Sequence, residues 1–228
     1  LTNTVTRRVL FPDRPPSLVF AKEGSYLSPR DSLVVPLSAI NLRGCTVSVE
    51  RVYINNLVFM SMRESGRYNR SYYGGGVEAQ EGLSLALTNR AYTAPRRPNE
   101  AGAIPVNLRD LVGPVTSGVF MLTARADKGN VTAQRLVVVS DMGITVKRSQ
   151  QDLLVWVNSL RTAEPAVGAE IRVFSDKNQE IGSGLTDAEG VAEIRCRAPD
   201  PTAVPFLVTA AQGEDLGPVA AQDGGGRR

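Results

Sequence analysis

The sequence predicts an all-β chain of two tandem antiparallel β-sandwich domains, and three observations support this prediction. Short segments that alternate apolar and polar side chains recur along the chain, as strands with one buried face do. Gly and Pro, with 21 and 14 residues, punctuate these segments as turn residues. The length of 228 residues suits one large domain or two of ordinary size. We therefore expect one domain over residues 1–140 and a second over residues 141–228.

The first domain, residues 1–140, is predicted to consist mainly of strands. They are expected at 17–22, 32–40, 45–54, 82–88 and 104–112, and in a hairpin of 118–127 and 131–141. In the strand at 45–54 the apolar parity slips between Val49 and Val52, which indicates a bulge or bend.

The same domain is predicted to contain a short helix and long loops. Residues 55–65 favour the helix, with Leu57 and Met60 facing inward. Residues 66–76 and 91–102 are expected to be loops, the second because its prolines oppose a helix. The domain boundary is predicted near residue 140, where one strand runs almost directly into the next.

The second domain, residues 141–228, is predicted to be a seven-stranded β-sandwich. Its strands are expected at 143–148, 152–157, 168–174, 179–186, 191–196, 206–211 and 216–221. The turn spacing between them is that of an Ig-like sandwich. Two glycines weaken the strand at 179–186, which favours an edge position. Trp156, the only tryptophan, lies in the most apolar strand and is expected to fill the core between two sheets.

The turn after residue 185 has a sequence that sets hairpin register. Asp187 can accept hydrogen bonds from its own turn, and Gly190 is free to adopt a positive φ. The acidic turns at 175–178 and 187–190 could alternatively supply oxygen ligands to calcium. Neither has the Glu at the twelfth position of an EF-hand loop, so we expect solvated turns and no metal.

The composition argues against enzymatic chemistry. The chain has no histidine, which excludes a Ser–His–Asp or Cys–His site and any histidine-ligated zinc. Two cysteines are too few for a Cys₄ zinc site, although chemistry based on lysine or carboxylates stays open. We therefore predict a protein that is not an enzyme, with no catalytic, cofactor-binding or metal-ligating residues and no cofactor.

The charge and hydropathy give no sign of nucleic-acid or membrane binding. The formal net charge is +3, which is weak for a chain of this length. No run of about 18 apolar residues is present. One segment, 63–76, interleaves arginine and tyrosine residues in a pattern that can bind single-stranded nucleic acid. Its members are Arg63, Arg67, Arg70, Tyr68, Tyr72 and Tyr73. We favour packing on a neighbouring domain, with contact to a partner or protease as the alternative, and no nucleic acid.

The two cysteines are predicted to be free and buried. Cys45 shares a strand face with Val47 and Val49, and Cys196 shares one with Ile194. Because the two lie in different predicted domains, a disulfide between them is not expected.

Several motifs of the second domain stand in a recognisable order. They are Asp141-Met142-Gly143 before "ITVKR", "LLVWVNSL", Pro165 followed by Gly168-Ala169-Glu170, and Thr186-Asp187 followed by Gly190-Val191-Ala192. Together they resemble the third macroglobulin-type domain of the bacterial α-2-macroglobulin family. The segment "LVVPLSAINLRGCTVSVERVYINNLVFM" and the hairpin ending in "RLVVVSD" are similar to the domain that precedes it, the second. The resemblance covers residues 17–221.

This resemblance implies two macroglobulin-type domains of a periplasmic protease inhibitor, a trap that serves host defence. It also implies a lipoprotein, held at the inner membrane through a lipidated N-terminus outside this chain. The family thioester needs a Gln three residues after its Cys, but Cys45 is followed by "TVS" and Cys196 by "RAP". The segment is therefore expected to be scaffold.

The expected partners are neighbouring domains of the same parent chain and, through the full-length protein, target proteases, with this segment itself monomeric. An Ig-like stalk module of a cell-surface adhesin is the alternative function. A β-sandwich hydrolase is disfavoured because histidine is absent.

Overall fold

The structure, a computed structural model, confirms the predicted all-β class with two antiparallel sandwiches in tandem. It describes residues 12–21, 26–64, 82–95, 97–114, 117–149 and 152–221. The side chains of the predicted arginine- and tyrosine-rich segment, 63–76, lie outside the described residues, so that prediction stays untested.

The first sandwich pairs a three-stranded sheet with a five-stranded one. Its strands are β1 (Ser17–Phe20), β2 (Tyr26–Leu27), β3 (Val34–Ile40), β4 (Gly44–Val52), β5 (Ser84–Thr93), β6 (Gly102–Asn107), β7 (Gly118–Ala126) and β8 (Thr132–Val139). The sheet orders are β1-β3-β6 and β2-β8-β7-β4-β5, and within them only β2 and β8 pair in parallel. A 3₁₀ turn (Ile54–Asn56) leads into helix α1 (Leu57–Glu64), and helix α2 (Leu108–Val112) follows β6.

The second sandwich contains seven strands among the described residues. They are β9 (Met142–Ser149), β10 (Asp152–Ser159), β11 (Glu170–Ser175), β12 (Glu180–Leu185), β13 (Val191–Arg195), β14 (Pro205–Gln212) and β15 (Asp215–Ala220). One sheet has the order β13-β10-β9 and the other β12-β11-β14-β15. The edge position predicted for the glycine-weakened strand, β12, is confirmed. Division of the chain into separate domains at residue 140 stays a prediction.

Each sandwich has its own apolar core between its two sheets. Alternate residues of facing strands fill these cores, for example Val47 and Val49 in the first and Val155 and Ile171 in the second. A buried side chain of this size contributes about 1.5–3 kcal/mol to folding. Cys45 belongs to the first core and Cys196 to the second, and both are free, as the sequence predicted.

Two local predictions in the first sandwich are confirmed. The register of β4 against β5 shifts between Val49 and Glu50, at the predicted bulge. Helix α1 forms where expected, and it buries Leu57 and Met60.

Two other predictions there are wrong in part. The segment 104–112 was expected to be one strand, but Asn107 ends β6 because its side chain accepts a hydrogen bond from the Arg109 N–H, at 3.0 Å. This bond caps α2. The expected loop at 91–102 begins later, because β5 keeps its pairing with β4 as far as Thr93.

The prediction that Trp156 fills the core is also wrong. Strand β10 alternates, so that Leu153, Val155 and Val157 are buried whereas Trp156 lies on the opposite face and is 48% exposed. The unbroken apolar run suggested burial on both faces, but the two-residue period of a strand places only every second side chain in this core.

The predicted turn forms between β12 and β13, but the hairpin expected there is wrong, because β12 and β13 belong to different sheets and do not pair with each other. The Oδ1 atom of Asp187 accepts from the N–H groups of Glu189, at 3.0 Å, and of Val191, at 2.8 Å. Gly190 has a φ of 74°, and a Cβ at this position would lie 2.5 Å from the Val157 carbonyl oxygen. The turn therefore fixes the register between β13 and β10.

Replacing Asp187 with Ala should lower the free energy of unfolding by about 1 kcal/mol, because two turn N–H groups lose their acceptor. Urea denaturation measures the change. The neighbouring exposed Glu189→Ala is the control and should stay within about 0.5 kcal/mol of wild type. Equal effects of the two variants would contradict the role assigned to the Asp187 carboxylate.

Candidate functional site: the interface between the sandwiches

The described residues point to neither a metal site nor a membrane-spanning helix as the functional site. Across the described ranges no group of three or more His, Cys, Asp or Glu residues is placed to hold a metal ion. No helix among the described residues is long and apolar enough to cross a membrane. The most extensive shared feature of the two sandwiches is the surface where they meet, and we therefore treat this interface as the functional site.

A single apolar cluster joins the two sandwiches. Its buried members are Val52, Leu57, Val58, Met60, Val119, Met121, Leu136 and Val138 of the first sandwich and Phe206 and Leu207 of the second. Tyr26, Phe174 and Leu216 pack against it as partly buried neighbours. The outer face of the five-stranded sheet is thus covered by α1 and by the β11-β14-β15 side of the second sandwich.

The sequence builds this cluster by making β7 and β8 apolar on both faces. In β7, Phe120 and Leu122 point into the first core, whereas Val119 and Met121 point into the interface. The run 136–139 of β8 is divided in the same way. Unbroken apolar runs are the pattern expected of strands covered on both sides.

Polar contacts clamp the end of the interface nearest the chain junction. The Oδ2 atom of Asp215 accepts from the Asp141 N–H at 2.9 Å, and the Ser117 hydroxyl oxygen accepts from the Leu216 N–H at 3.0 Å. The Tyr26 hydroxyl donates to the Pro218 carbonyl oxygen at 3.3 Å. Strand β15 is therefore held directly to elements of the first sandwich.

The two residues between β8 and β9 are also fixed. The Ser140 N–H donates to the Leu27 carbonyl oxygen, at 3.1 Å, and the Ser140 hydroxyl oxygen accepts from the Met142 N–H, at 3.1 Å. The Asp141 carboxylate accepts from the Ser159 hydroxyl, at 2.6 Å, and the Arg161 N–H, at 3.2 Å. With its own hydrogen bonds made, this junction has few backbone torsions left to act as a hinge.

Tyr26 and Gly217 fit closely together in this clamp. A Cβ on Gly217 would collide with the Tyr26 hydroxyl and would lie 3.2 Å from both Ile144 and Ser140. Burial and the nearby Asp215 carboxylate raise the pKa of Tyr26 well above its usual range, and a hydrogen bond with Ser140 opposes this only in part. The tyrosine therefore keeps its proton and stays a donor at neutral pH.

A further polar contact joins the two sandwiches away from the chain junction. The Asn178 side-chain amide donates to the Asn55 carbonyl oxygen at 3.1 Å. The turn that carries Asn178 is braced by Lys177, whose ammonium lies 2.6 Å from Asp200 Oδ2. Hydrogen bonds from Lys177 and Thr202 lower the pKa of Asp200 to about 2, so this carboxylate is ionised at neutral pH.

The two cysteine thiols are buried, and each has a raised pKa. Burial, and then the charge of Asp127, raise the pKa of Cys45. Burial, and then the charge of Asp152, raise the pKa of Cys196. Because the thiolate is the nucleophile, burial and a raised pKa both disfavour reaction of these thiols.

Sequence reasoning predicted a domain boundary near residue 140 with a short junction at Ser140–Met142, and this division stays a prediction. The structure ties the same segment through the hydrogen bonds of Ser140 and Asp141. Sequence reasoning did not find Tyr26, Ser117 and Asp215, which come together only through the fold. The unbroken apolar runs of β7 and β8 were the one sequence signal that these strands are covered on a second side.

The comparisons with known proteins agree with one another. Residues 139–226 match the family model for the bacterial alpha-2-macroglobulin MG3 domain. The chain is 26% identical over 204 residues to the alpha-2-macroglobulin homolog of Yersinia pestis, a match that covers 80% of this chain and 10% of that protein. It is 25% identical over 201 residues to alpha-2-macroglobulin of Escherichia coli K12, covering 84% of this chain and 11% of that protein. The chain thus spans about a tenth of the length of these relatives.

Solved structures show the same fold. The chain superposes on native E. coli alpha-2-macroglobulin spanning domains NIE-MG1 with a TM-score of 0.70 at 20% identity, covering 90% of this chain and 96% of that one. A structure spanning MG0-NIE-MG1 gives a TM-score of 0.70 at 20% identity and 94% and 66% coverage. Trypsin-activated alpha-2-macroglobulin from E. coli gives 0.62 at 19% identity and 90% and 14% coverage. Both sandwiches are included in these superpositions.

Gly217→Ala should destabilise the chain by about 1–3 kcal/mol, because the added methyl group overpacks the contact with Tyr26. Tyr26→Phe removes the hydroxyl and should cost about 1 kcal/mol by itself. The double variant should lose less than the sum of the two, since the phenyl ring leaves room for the methyl group. Denaturation of all four proteins measures this coupling, and strict additivity would refute the proposed fit.

Cys45 and Cys196 should resist alkylation by iodoacetamide in the native chain and react only after unfolding in urea. The reason is that each thiol is buried and has a raised pKa. Mass spectrometry counts the modified thiols under both conditions. Rapid modification of either cysteine at neutral pH without denaturant would show that the thiol is accessible and ionised.

Proposed function

Because this chain belongs to the bacterial alpha-2-macroglobulin family, we propose that it is a non-enzymatic scaffold segment of a larger protease-trapping protein. The proposal concerns the parent protein, since the chain corresponds to about a tenth of its relatives. Within that parent, this segment would contribute shape and placement rather than chemistry.

The observation that carries the proposal is the apolar cluster shared by the two sandwiches, together with the polar clamp beside it. Ten side chains from both sandwiches are buried in one continuous cluster. The Ser117–Leu216 and Tyr26–Pro218 pairs add hydrogen bonds across the same boundary. An interface with an apolar centre and satisfied polar groups resists sliding and rotation. Such a pair transmits the position of one neighbouring domain to the next.

The inert thiols support the absence of covalent chemistry in this segment. Neither Cys45 nor Cys196 is followed by the glutamine that a thioester needs, and both are buried in the cores. A related structure is that of an alpha-2-macroglobulin activated by trypsin, which favours proteases as targets of the parent protein. Capture of a protease would then take place in other domains.

We further propose that the parent protein is periplasmic, anchored at the inner membrane through a lipidated N-terminus outside this chain, and that it serves host defence. The segment alone is proposed to be monomeric. The homology to alpha-2-macroglobulins favours this role over that of an adhesin stalk module.

The isolated chain, incubated with trypsin, should neither slow hydrolysis of a small or a protein substrate nor form a covalent adduct on a denaturing gel. The physical reason is that both cysteine thiols are buried and that neither cysteine is followed by the glutamine of a thioester. The parent protein is the positive control and should slow hydrolysis of the protein substrate by trypsin. Inhibition or an adduct formed by the isolated chain would overturn the scaffold assignment.

A positive test uses the interface variant in the parent protein. In the parent protein, Gly217→Ala should reduce the inhibition of trypsin's hydrolysis of a protein substrate. Adding Tyr26→Phe to that variant should recover part of the lost inhibition. The matched control is the exposed Glu189→Ala, which should leave this inhibition unchanged. If the loosened interface leaves trapping at the wild-type level, rigid coupling of the two sandwiches is not what this segment contributes.

A further inference from the structure

The outer face of the β13-β10-β9 sheet carries large apolar side chains that are exposed in the part of the second sandwich that the structure describes. Leu154 and Trp156 of β10 are 41% and 48% exposed, and Leu160, just beyond the strand, is 49% exposed. This face, which we call the Trp156 face, lies across the second core from the sheet that packs on the first sandwich.

The Trp156 face departs from a regularity seen elsewhere in this chain. Among the described strands, runs of four or more apolar residues occur in β7 (119–122), β8 (136–139) and β10 (153–157). Every residue of the first two runs is buried, because one side faces a core and the other faces the sandwich interface. The run in β10 is the longest of the three, yet its outward-facing residues, Leu154 and Trp156, are exposed.

Residues of the strands that flank β10 help to make the Trp156 face apolar. Gly143 lies beside Asn158 in the adjacent strand, and a Cβ on Gly143 would come within 2.8 Å of the Leu160 side chain. The missing side chain leaves room for Leu160 to lie over Gly143. Thr145 and Val191 pair with Trp156 from the two sides, so the tryptophan has no charged residue directly opposite it.

Charges of opposite sign flank the apolar centre at one level. Lys147 of β9 and Glu193 of β13 both pair with Leu154, and both side chains are exposed. With strands spaced by about 4.8 Å, these two residues stand roughly 10 Å apart across the face. An apolar centre containing Trp, with charges at its rim, is the composition of a protein-binding surface.

We propose that the Trp156 face is the docking surface for a further domain of the same parent chain, one that presents apolar side chains with a carboxylate facing Lys147 and a cation facing Glu193. This inference rests on the proposed function, because it takes the chain to be a segment of a longer protein. The relatives are about ten times as long as this chain, and a solved relative carries a domain beyond the two matched here. Within the chain itself, the other doubly apolar strands are covered by a sandwich.

The test compares the accessibility of this face in the 228-residue chain and in the full parent protein. A cysteine introduced by Leu154→Cys reports on the face, since the native thiols are buried. Leu185→Cys, at an exposed edge position of the opposite sheet, is the matched control. The rate of maleimide labelling is measured at each cysteine, with the parent's other thiols subtracted. Emission of Trp156, the only tryptophan of the chain, checks that the short variants keep the native fold.

We expect residue 154 to react freely in the short chain and about tenfold or more slowly in the parent, while residue 185 shows a much smaller difference. Adding Lys147→Glu in the parent should restore labelling at 154, whereas Lys128→Glu, a charge reversal in the distant β7–β8 turn, should not. Equal labelling at 154 in both proteins overturns the proposal.

Two other outcomes separate the remaining possibilities. Protection at 154 in the short chain that grows with protein concentration would mean that a second copy covers the face, which overturns the chosen occupant. Protection at 154 in a parent protein that fails to restrict proteases would disprove the trapping function and leave the docking proposal standing.

Discussion

The fold depends on one packing constraint: the outer face of the five-stranded sheet must be covered. Strands β7 and β8 bury apolar side chains on both sides, so the first sandwich cannot leave this sheet in water without exposing Val119, Met121, Leu136 and Val138. Helix α1 covers part of the face and the second sandwich covers the rest. The two sandwiches are thus joined by the same hydrophobic burial that forms each core.

The sequence was sufficient for the class, the strands and the turn chemistry, because these follow from local patterns. The two-residue period placed Cys45 with Val47, and Asp187 with Gly190 indicated the turn before β13. The same reasoning failed at Trp156, since an unbroken apolar run does not show which of its alternating side chains face the core. It also failed at Asn107, where a single side-chain cap converts a strand into a helix. Tyr26 and Asp215 are far apart in sequence, and only the docking of the sandwiches brings them together.

The thiols and several carboxylates of the described residues are used structurally. The thiols are buried and have raised pKa values, and the carboxylates at positions 141, 187 and 215 accept hydrogen bonds from backbone N–H groups. Polar groups used in this way stabilise turns and interfaces, and they are then not free to act on a substrate. These contacts of the described residues support the proposed scaffold role.

The two-residue junction between β8 and β9 has an evolutionary consequence. Since Ser140 and Asp141 are bonded into both sandwiches and no spacer separates them, neither sandwich is an interchangeable module. A recombination event that joined the second sandwich to a foreign first one would bring together mismatched halves of the apolar cluster. Inheritance of the two as a single block, with compensating substitutions at positions such as 26 and 217, is the history that this architecture favours.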